Sequence, residues 1–364
     1  GTGATTGQGS IKSLKVSNIF NPPIGGTDER PTAPQPGALF YNKDFRTIEY
    51  WDGHFWRQVD YTTRRGRGIT MGGGGDTSSI EYFDIASKGN AQDFGELDQA
   101  VQQNSSNGNS IRSLSNGATS SGADVYDYIQ YVTIQSQGNA VDFGNLSLAV
   151  RMPGSGGSST RGLTAGGVNP SPSAHTPQNV ISYVEYMTLG NAIDFGDLST
   201  ARRLSESVCS SSTRTVFHGG AGVGVYYNMI DFVTTASKGN AQDFGGTSIF
   251  TGNYAGGCSN SVKGLFGGGS TGTFENKIGT INIASGGNEI EFGNLTVTRA
   301  HATASSNSTR ACWAGGALSP SGKSNVIDYI TIQTGGAAED FGDLSVGQQY
   351  AGGTSDSHGG LGGF

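Results

Sequence analysis

Hydrophobic positions in this sequence fall in short runs rich in β-branched and aromatic residues, and Gly, Ser and Asn separate the runs. Examples are NVISYVEYMTL at 179–189, NKIGTINI at 276–283 and NVIDYITI at 325–332. No window shows the 3.6-residue apolar spacing of an amphipathic helix. Short runs between turn residues are typical of β-strands. The pattern therefore predicts an all-β protein.

One motif, Gly-Asn-Ala-x-Asp-Phe-Gly with minor variations, occurs six times. Its phenylalanines are Phe94, Phe143, Phe195, Phe244, Phe292 and Phe341. They are separated by 49, 52, 49, 48 and 49 residues. A period of this size indicates that each repeat is one supersecondary unit and that neighbouring repeats share a core.

A second element recurs in phase with the first: a basic residue, a small or apolar stretch, and usually Gly-Gly. It begins at Arg67, Arg112, Arg161, Arg214, Lys263, Arg310 and His358. About 49 residues for three or four short strands is the size of one β-propeller blade. We therefore expect residues 67–364 to form a β-propeller.

The second element has seven starts and the first has six copies, so two arrangements of the closed ring of blades are possible. In the favoured one, six blades close and a last strand beginning near His358 pairs beside the first blade, covering its edge. In the other, the first and last segments of the repeat region together make a seventh blade.

The repeated residues are best explained as scaffold. A catalytic carboxylate is expected to be singular, whereas this acid recurs as Asp93, Asp142, Asp194, Asp243, Glu291 and Asp340. We expect it to accept hydrogen bonds from turn amides or to pair with a basic residue of a nearby strand. The phenylalanine that follows is expected to fill the core between blades. No catalytic, cofactor-binding or metal-binding residue is predicted, and no cofactor.

The region before the repeats has two parts. Residues 1–35 contain a Gly/Thr-rich start and a Pro-rich stretch, and they are expected to form an extended arm or linker. Residues 36–66 predict a small aromatic β-module with strands at 38–41, 47–51 and 54–59 and a hairpin turn at Asp52-Gly53. Three short strands bury too little surface to be stable alone, which favours homotrimerisation or packing on a neighbour.

Composition narrows the functional classes. Gly makes up 61 of 364 residues and the formal net charge is −7, divided as +2 over residues 1–66 and −9 over the rest. Without a basic surface, a nucleic-acid partner is not expected. No apolar run is long enough for membrane insertion. The three cysteines, Cys209, Cys258 and Cys312, lack the spacing of a zinc site.

The segment PGALFYNKDFRTIEYWDGHFWRQV at 36–59 resembles a small β-module of bacteriophage tail-fibre and other virion proteins. The repeats resemble those of large structural and tail-fibre-like proteins of marine T4-like phages and cyanophages, and more distantly kelch-type propellers. Kelch blades usually carry Tyr and Trp after Gly-Gly, whereas Trp313 here precedes it. The resemblance implies a virion protein, without implying a kelch function or a particular receptor.

Three functions follow in order of preference. The first is a tail-fibre-like virion protein that is anchored to other tail or capsid proteins by residues 1–66 and attaches to a host glycan or protein. Ser/Asn-rich segments at 103–110, 153–160, 169–178 and 318–325 are the candidate binding loops. The second is a purely structural capsid or tail decoration protein. The third, a glycan depolymerase, is disfavoured because no pair of dissimilar carboxylates is visible, so the chain is not expected to be an enzyme.

Overall fold

The structure, a computed structural model, describes residues 21–43, 47–51, 53, 56–58, 66–120, 124–171, 174–247 and 254–362. The chain divides into two compact units, Gly1–Thr63 and Arg64–Phe364. Regular structure in the described residues consists of β-strands and two 3-10 helices of three residues each. The predicted all-β class is therefore confirmed.

The first unit contains one small sheet. Its elements are β1 (Ile24–Gly25), η1 (Thr27–Glu29), β2 (Leu39–Asn42), β3 (Thr47–Trp51) and β4 (Trp56–Gln58). Strand β1 pairs with β2 in parallel, and β2, β3 and β4 form an antiparallel meander. Part of the segment that the sequence assigns to an arm thus lies in the sheet of the module. Asp52, in the predicted hairpin turn, lies outside the described residues.

A buried carboxylate joins the arm segment to this sheet. Glu49 in β3 is buried, and its Oε1 accepts a bond of 2.6 Å from Arg30 Nη2. Asn42 Nδ2 donates to Glu49 Oε2 at 3.1 Å. Trp56 packs beside the buried Phe40, with ring centroids 5.8 Å apart. This face of the sheet is therefore covered by its own chain.

The second unit contains six sheets that share one strand order, plus the two-stranded hairpin β14 (Val168–Ser171) and β15 (Ala174–Pro177). Sheets 1 to 3 comprise, from the first strand to the fourth, β31 (Gly352–Ser355), β5 (Arg67–Met71), β6 (Thr77–Asp84) and β7 (Gln92–Val101); β8 (Ser105–Gly108), β9 (Arg112–Thr119), β10 (Val125–Thr133) and β11 (Val141–Asn145); and β12 (Gly154–Gly157), β13 (Arg161–Ala165), β16 (Val180–Glu185) and β17 (Ile193–Asp197).

Sheets 4 to 6 follow the same antiparallel order. They comprise β18 (Val208–Ser210), β19 (Arg214–His218), β20 (Met229–Thr234) and β21 (Gln242–Gly246); β22 (Gly256–Ser259), β23 (Lys263–Gly267), β24 (Lys277–Asn282) and β25 (Ile290–Asn294); and β26 (Thr303–Ser306), β27 (Arg310–Ala314), β28 (Val326–Thr331) and β30 (Glu339–Asp343). Sheet 5 also pairs in parallel with β29 (Gly336–Ala337), and the last 3-10 helix is η2 (Gly359–Leu361).

The first strand of each sheet, here called the inner strand, contacts the inner strands of two other sheets. The contacts run from β8 through β12, β18, β22 and β26 to β31, and β31 contacts β8 again. The apolar core follows the same order. Six clusters of buried side chains each join two consecutive sheets, including sheet 6 and sheet 1. The six inner strands together line one central cavity.

The repeated phenylalanine is the core residue that the sequence predicts. In sheet 2, Ile129 pairs with Gly144 and the next residue, Gln130, pairs with Asp142, so Phe143 lies in a β-bulge. Each of the other sheets has the same register shift. Five of the six phenylalanines are buried and Phe292 is half-buried. Burial of each contributes about 1.5–3 kcal/mol.

The repeated basic residue clamps each sheet to the next. Its charged group lies over an aromatic ring of its own sheet at 4.4–4.9 Å and donates to a backbone carbonyl of the following sheet. The donors and acceptors are Arg67 to Ile134, Arg112 to Tyr186, Arg161 to Thr235, Arg214 to Ile283, Lys263 to Ile332 and Arg310 to Ile85. The last of these joins sheet 6 to sheet 1.

The expected role of the repeated acid is wrong. Its six side chains, at Asp93, Asp142, Asp194, Asp243, Glu291 and Asp340, are exposed. The acid precedes the bulged phenylalanine, and because that ring points into the core, the acid points to solvent. The basic residues bond backbone carbonyls instead. The repeated acid therefore carries no core interaction.

The glycine after each phenylalanine is required by a close approach between sheets. Gly144 has φ of 145°, and a Cβ there would overlap the carbonyl oxygen of Gly190 in sheet 3. The amide of Gly190 donates to the carbonyl of Phe143 at 2.9 Å. Any side chain at this position would force the two sheets apart.

The seventh start of the basic element does not begin a strand. The strand that pairs with β5 is β31, which ends at Ser355, and His358 is the N-cap of η2. The expectation of a strand beginning near His358 is therefore wrong in its position. The reason is that β5, which begins at Arg67, already occupies the second place in sheet 1.

Candidate functional site

A singular group of residues lies just before the inner strands. We call Gln103, Met152, Ser205, Tyr254, His301 and Tyr350 the mouth residues. Isolated bridges such as Arg151 with Val168 and Ala300 with Ala317 tie their neighbours to the loops between second and third strands. The mouth and these loops therefore lie at the same end of the sheets.

All six mouth residues adopt a left-handed backbone conformation although none is glycine. Their φ angles lie between 47° and 70°. Non-glycine residues in this region are uncommon and cost free energy. Six copies of that strain, at one position of each repeat, indicate a turn that the packing of the sheets enforces.

Backbone hydrogen bonds link the mouth residues to one another. The amide of Gln103 donates to the carbonyl of Tyr350 at 2.9 Å, and that of Tyr350 to His301 at 3.3 Å. The amide of His301 donates to Tyr254 at 2.9 Å, and that of Met152 to Gln103 at 2.8 Å. The Ser205 amide donates to Met152 at 3.2 Å. The mouth is thus a preformed structure whose side chains surround one point.

Aromatic and basic side chains dominate this point. The His301 ring lies between Tyr254 and Tyr350, with centroid distances of 3.8 and 3.9 Å. The guanidinium of Arg203 lies 5.5 Å from the centroid of Tyr254. Arg151 Nη1 donates to Gln103 Oε1 at 3.3 Å. One half of the mouth is therefore aromatic and is flanked by two cations.

Burial and charge shift the titration of the central residues. Burial lowers the pKa of His301 well below its usual value, and the nearby Arg203 lowers it further, so the imidazole is neutral. Burial raises the pKa of Tyr350, an effect that Arg203 and Arg151 partly offset. At neutral pH the aromatic cluster is uncharged beside two guanidinium groups.

Beneath the mouth, one inserted residue caps several inner strands. Fifteen residues separate Phe195 from Ser210, whereas fourteen separate the equivalent Phe143 and Gly157. The insertion turns Glu206 into the central cavity, with φ of 71°.

The backbone and side chain of Glu206 both accept hydrogen bonds. Its backbone carbonyl accepts the amides of Val208 and Gly257 at 2.7 and 3.0 Å. Its carboxyl accepts the amide of Ser106 at 2.8 Å and also that of Gly353. Burial raises its pKa well above the usual value, an effect that these two amides partly offset. Glu206 thus accepts hydrogen bonds from inner-strand amides of four different sheets.

The buried Glu206 predicts a pH-dependent stability. Because its pKa is raised on folding, its contribution is fully favourable below the ordinary carboxyl pKa and is lost as pH rises toward the folded-state pKa. Each tenfold change in the acid's dissociation constant is worth about 1.4 kcal/mol. Urea unfolding of wild type and Glu206→Gln between pH 4 and 8 should show wild type losing stability relative to the variant as pH rises. Parallel curves would contradict this.

At the end opposite the mouth, serines and the segment after β31 lie against the central cavity. Hydroxyls of inner-strand serines bond the carbonyls of neighbouring sheets, as Ser259 Oγ does with Ser210 at 2.6 Å. The carbonyl of Gly108 has no such donor, because the equivalent residue of the next sheet is Gly157, and it accepts instead a bond of 2.8 Å from His358 Nε2. Gly360 fits so closely that a Cβ there would overlap the carbonyl oxygen of Gly157. Residues 358–360 therefore close the gaps that the serines leave.

The central cavity is too small to be a ligand channel. Its volume is about 40 Å³, which accommodates roughly three water molecules. The three cysteines are free and buried, and two of them, Cys209 and Cys258, line it. A ligand larger than a few waters therefore cannot be held inside the central cavity.

Of the four predicted binding loops, two consist largely of buried strand and two lie at the mouth end of the sheets. Residues 103–110 and 153–160 contain the inner strands β8 and β12, which are largely buried, so most of each segment is not a loop, although Gln103 is itself a mouth residue. Small residues there are needed because inner strands crowd around the central cavity. Residues 169–178 form part of the β14–β15 hairpin, and residues 318–325 lie in a loop with several exposed positions. Both of these lie at the mouth end.

Sequence reasoning named no site residue, and it did not identify the mouth. The available signal was chemical divergence: each repeat offers a different residue just before its inner strand. Among the described residues, no three His, Cys, Asp or Glu side chains form a group that could hold a metal ion. Over the same ranges, no helix is long and apolar enough to cross a membrane.

No protein-family model matches the sequence, and no curated protein matches it. Function is therefore argued from the geometry of the mouth and of the first unit.

Proposed function

We propose that residues 67–364 form a six-bladed β-propeller. Four observations support it: the cyclic contacts of the inner strands, the six inter-sheet cores, the six basic clamps and the pairing of β31 with β5. Pairing an early strand with a late one in a single blade removes two free sheet edges. No strand remains in the described part of this region for a seventh blade, because sheets 1 to 6, the β14–β15 hairpin and β29 account for all of them.

The function that this geometry supports best is attachment to a host surface. The observation that carries it is the contrast between uniform scaffold and divergent mouth: clamps, bulges and glycines repeat, whereas Gln, Met, Ser, Tyr, His and Tyr occupy equivalent mouth positions. A scaffold gains nothing from such differences, whereas a binding site needs a singular arrangement. The chain is then a non-enzymatic, tail-fibre-like virion protein.

The first unit supports the anchoring half of this proposal. Leu39 and Tyr50 are cross-strand partners, and Ile24 and Ile48 both align with Tyr41. Ile24 is 54% exposed, and Leu39, Ile48 and Tyr50 are 36–39% exposed. An apolar sheet face of this kind in a four-stranded sheet favours packing on a neighbour, either copies of the chain in a homotrimer or another virion protein.

A purely structural role is the second candidate, and one observation favours it. Val141, Ile193 and Ile290 occupy one repeat position in the outermost strands of three sheets, and each is more than 50% exposed. Apolar side chains on the rim suit a partner that packs against the blades. A purely structural role would not explain why the six mouth residues differ from one repeat to the next.

The proposed function is tested by incubating the full chain with bacterial envelope polysaccharides and whole cells. Retained protein and newly released reducing ends are measured together. We expect retention without release. Release would replace attachment by depolymerisation, and absence of retention across a panel that contains the host would favour the structural role.

A further inference from the structure

Three buried polar atoms at or beside the mouth can donate hydrogen bonds and have no partner. They are Arg203 Nε, Ser205 Oγ and His301 Nδ1. Ser205 and His301 line a cavity of about 10 Å³ at the mouth, which is also lined by Glu206 and by Asn104, whose Oδ1 is an acceptor without a partner. The His301 side chain is more than nine-tenths buried, and its neutral ring can carry its proton on Nδ1. Unsatisfied donors of this kind indicate a missing acceptor.

The electrostatics at this point favour an anion. Arg151 and Arg203 are both close enough to Tyr350 to lower the pKa of its hydroxyl, and the Arg203 guanidinium lies 5.5 Å from the ring centroid of Tyr254. Two other nearby arginines, Arg202 and Arg299, are neutralised by buried ion pairs with aspartates. Glu206 lines the same small cavity, and burial raises the pKa of its carboxyl, which reduces the negative charge that it carries at a given pH. The mouth is therefore locally cationic in a chain of net charge −7.

Size limits how a ligand enters. A cavity of about 10 Å³ accepts one water-sized group. The rest of the ligand must remain outside, against the half-buried rings of Tyr254 and Tyr350. A carboxylate on a sugar ring meets these conditions: one oxygen enters, the other faces a guanidinium, and the apolar ring face contacts tyrosine.

We propose that the mouth binds an acidic sugar through its carboxylate, with Arg203, Ser205 and His301 as donors and Tyr254 and Tyr350 as the aromatic platform. This inference rests on the attachment function proposed above and names its ligand class. It also explains why the aromatic and basic residues converge at one side of the mouth.

The test uses the full chain and three uronic-acid polysaccharides, polygalacturonate, alginate and hyaluronan, each beside its carboxyl-reduced form. We expect retention on at least one acidic form and at least tenfold weaker retention on its reduced counterpart. Arg203→Gln should lower the affinity by about 10- to 100-fold, because a hydrogen bond to a charged group is lost. Arg203 is held to Ala221 by backbone bonds, so the variant should still fold.

The matched control is Lys88→Gln. It removes one positive charge from an exposed site in the connection between third and fourth strands, at the end opposite the mouth. The affinity of Lys88→Gln should equal that of wild type.

Equal retention on acidic and reduced forms would overturn the acidic-sugar inference and leave attachment standing. Retention on none of the polysaccharides would overturn it as well, and if whole cells were also not bound, attachment would fail with it. Equal losses in both variants would overturn the assignment to Arg203.

Discussion

A chain that ends at Ala351 should lose cooperative folding of the second unit. The missing residues contain β31, whose four residues pair with β5 and form the inner edge of sheet 1. Without β31, the contacts that it makes with the inner strands of sheet 6 (β26) and sheet 2 (β8) are lost as well. The whole stability of a domain is about 5–15 kcal/mol, so loss of one inner strand should exceed it. Urea unfolding followed by circular dichroism measures this.

The same deletion removes a turn-like hydrogen bond that in sheet 1 joins two distant parts of the chain. In sheet 6, Asn307 Oδ1 accepts the amide of Arg310 at 2.7 Å. In sheet 1, Asp356 Oδ1 accepts the amide of Arg67 at 2.9 Å, across 289 residues of sequence. A milder truncation after Ser357 keeps this bond and should leave a folded, less stable chain. An unchanged, cooperative transition in the chain that ends at Ala351 would show that β31 does not hold the sheets together.

Asp328→Ala should destabilise the second unit by about 3–5 kcal/mol. Asp328 Oδ2 accepts a bond of 2.8 Å from Arg299 Nη2, and neither side chain is exposed. Asp328 also accepts bonds from the amide and hydroxyl of Thr296. Loss of Asp328 leaves the guanidinium of Arg299 buried with only carbonyl and hydroxyl partners. Burial lowers the pKa of Arg299 and Asp328 raises it, so the charged form loses the group that stabilises it. Chemical denaturation of this variant and of wild type measures the difference in the free energy of unfolding.

The matched control for this variant is Asp340→Ala in the same sheet. Asp340 belongs to the repeated motif and is exposed, so its removal should change the free energy of unfolding by less than about 0.5 kcal/mol. If the two variants were equally destabilised, the distinction between the buried pair and the exposed repeated acid would be lost.

The sequence predicts the strands and the core well because both depend on local, repeated signals. A phenylalanine that recurs every 48–52 residues has to serve the same packing role each time, and Phe143 shows that role in its bulge. The exposure of the repeated acid could not be predicted, because the bulge, which decides whether Asp142 faces the core or solvent, leaves no separate signal in composition.

The inner strands and the mouth escaped prediction for opposite reasons. The Ser/Asn-rich residues 105–108 have the composition of a turn, and only the crowding of six inner strands makes them a buried strand. The mouth depends on residues that do not repeat, such as His301, and that meet only when six distant segments converge. Positions that differ from repeat to repeat carry no periodic signal in the sequence.

The measurement that tests the central claim most directly is retention of labelled full chain on host cells, comparing wild type with Tyr350→Ala. Tyr350 packs against His301 at the mouth, whereas the control Tyr128→Ala alters an exposed tyrosine that stacks on Tyr126 within sheet 2. The account predicts at least tenfold weaker retention for Tyr350→Ala and wild-type retention for Tyr128→Ala. Equal retention of all three chains would contradict a binding site at the mouth.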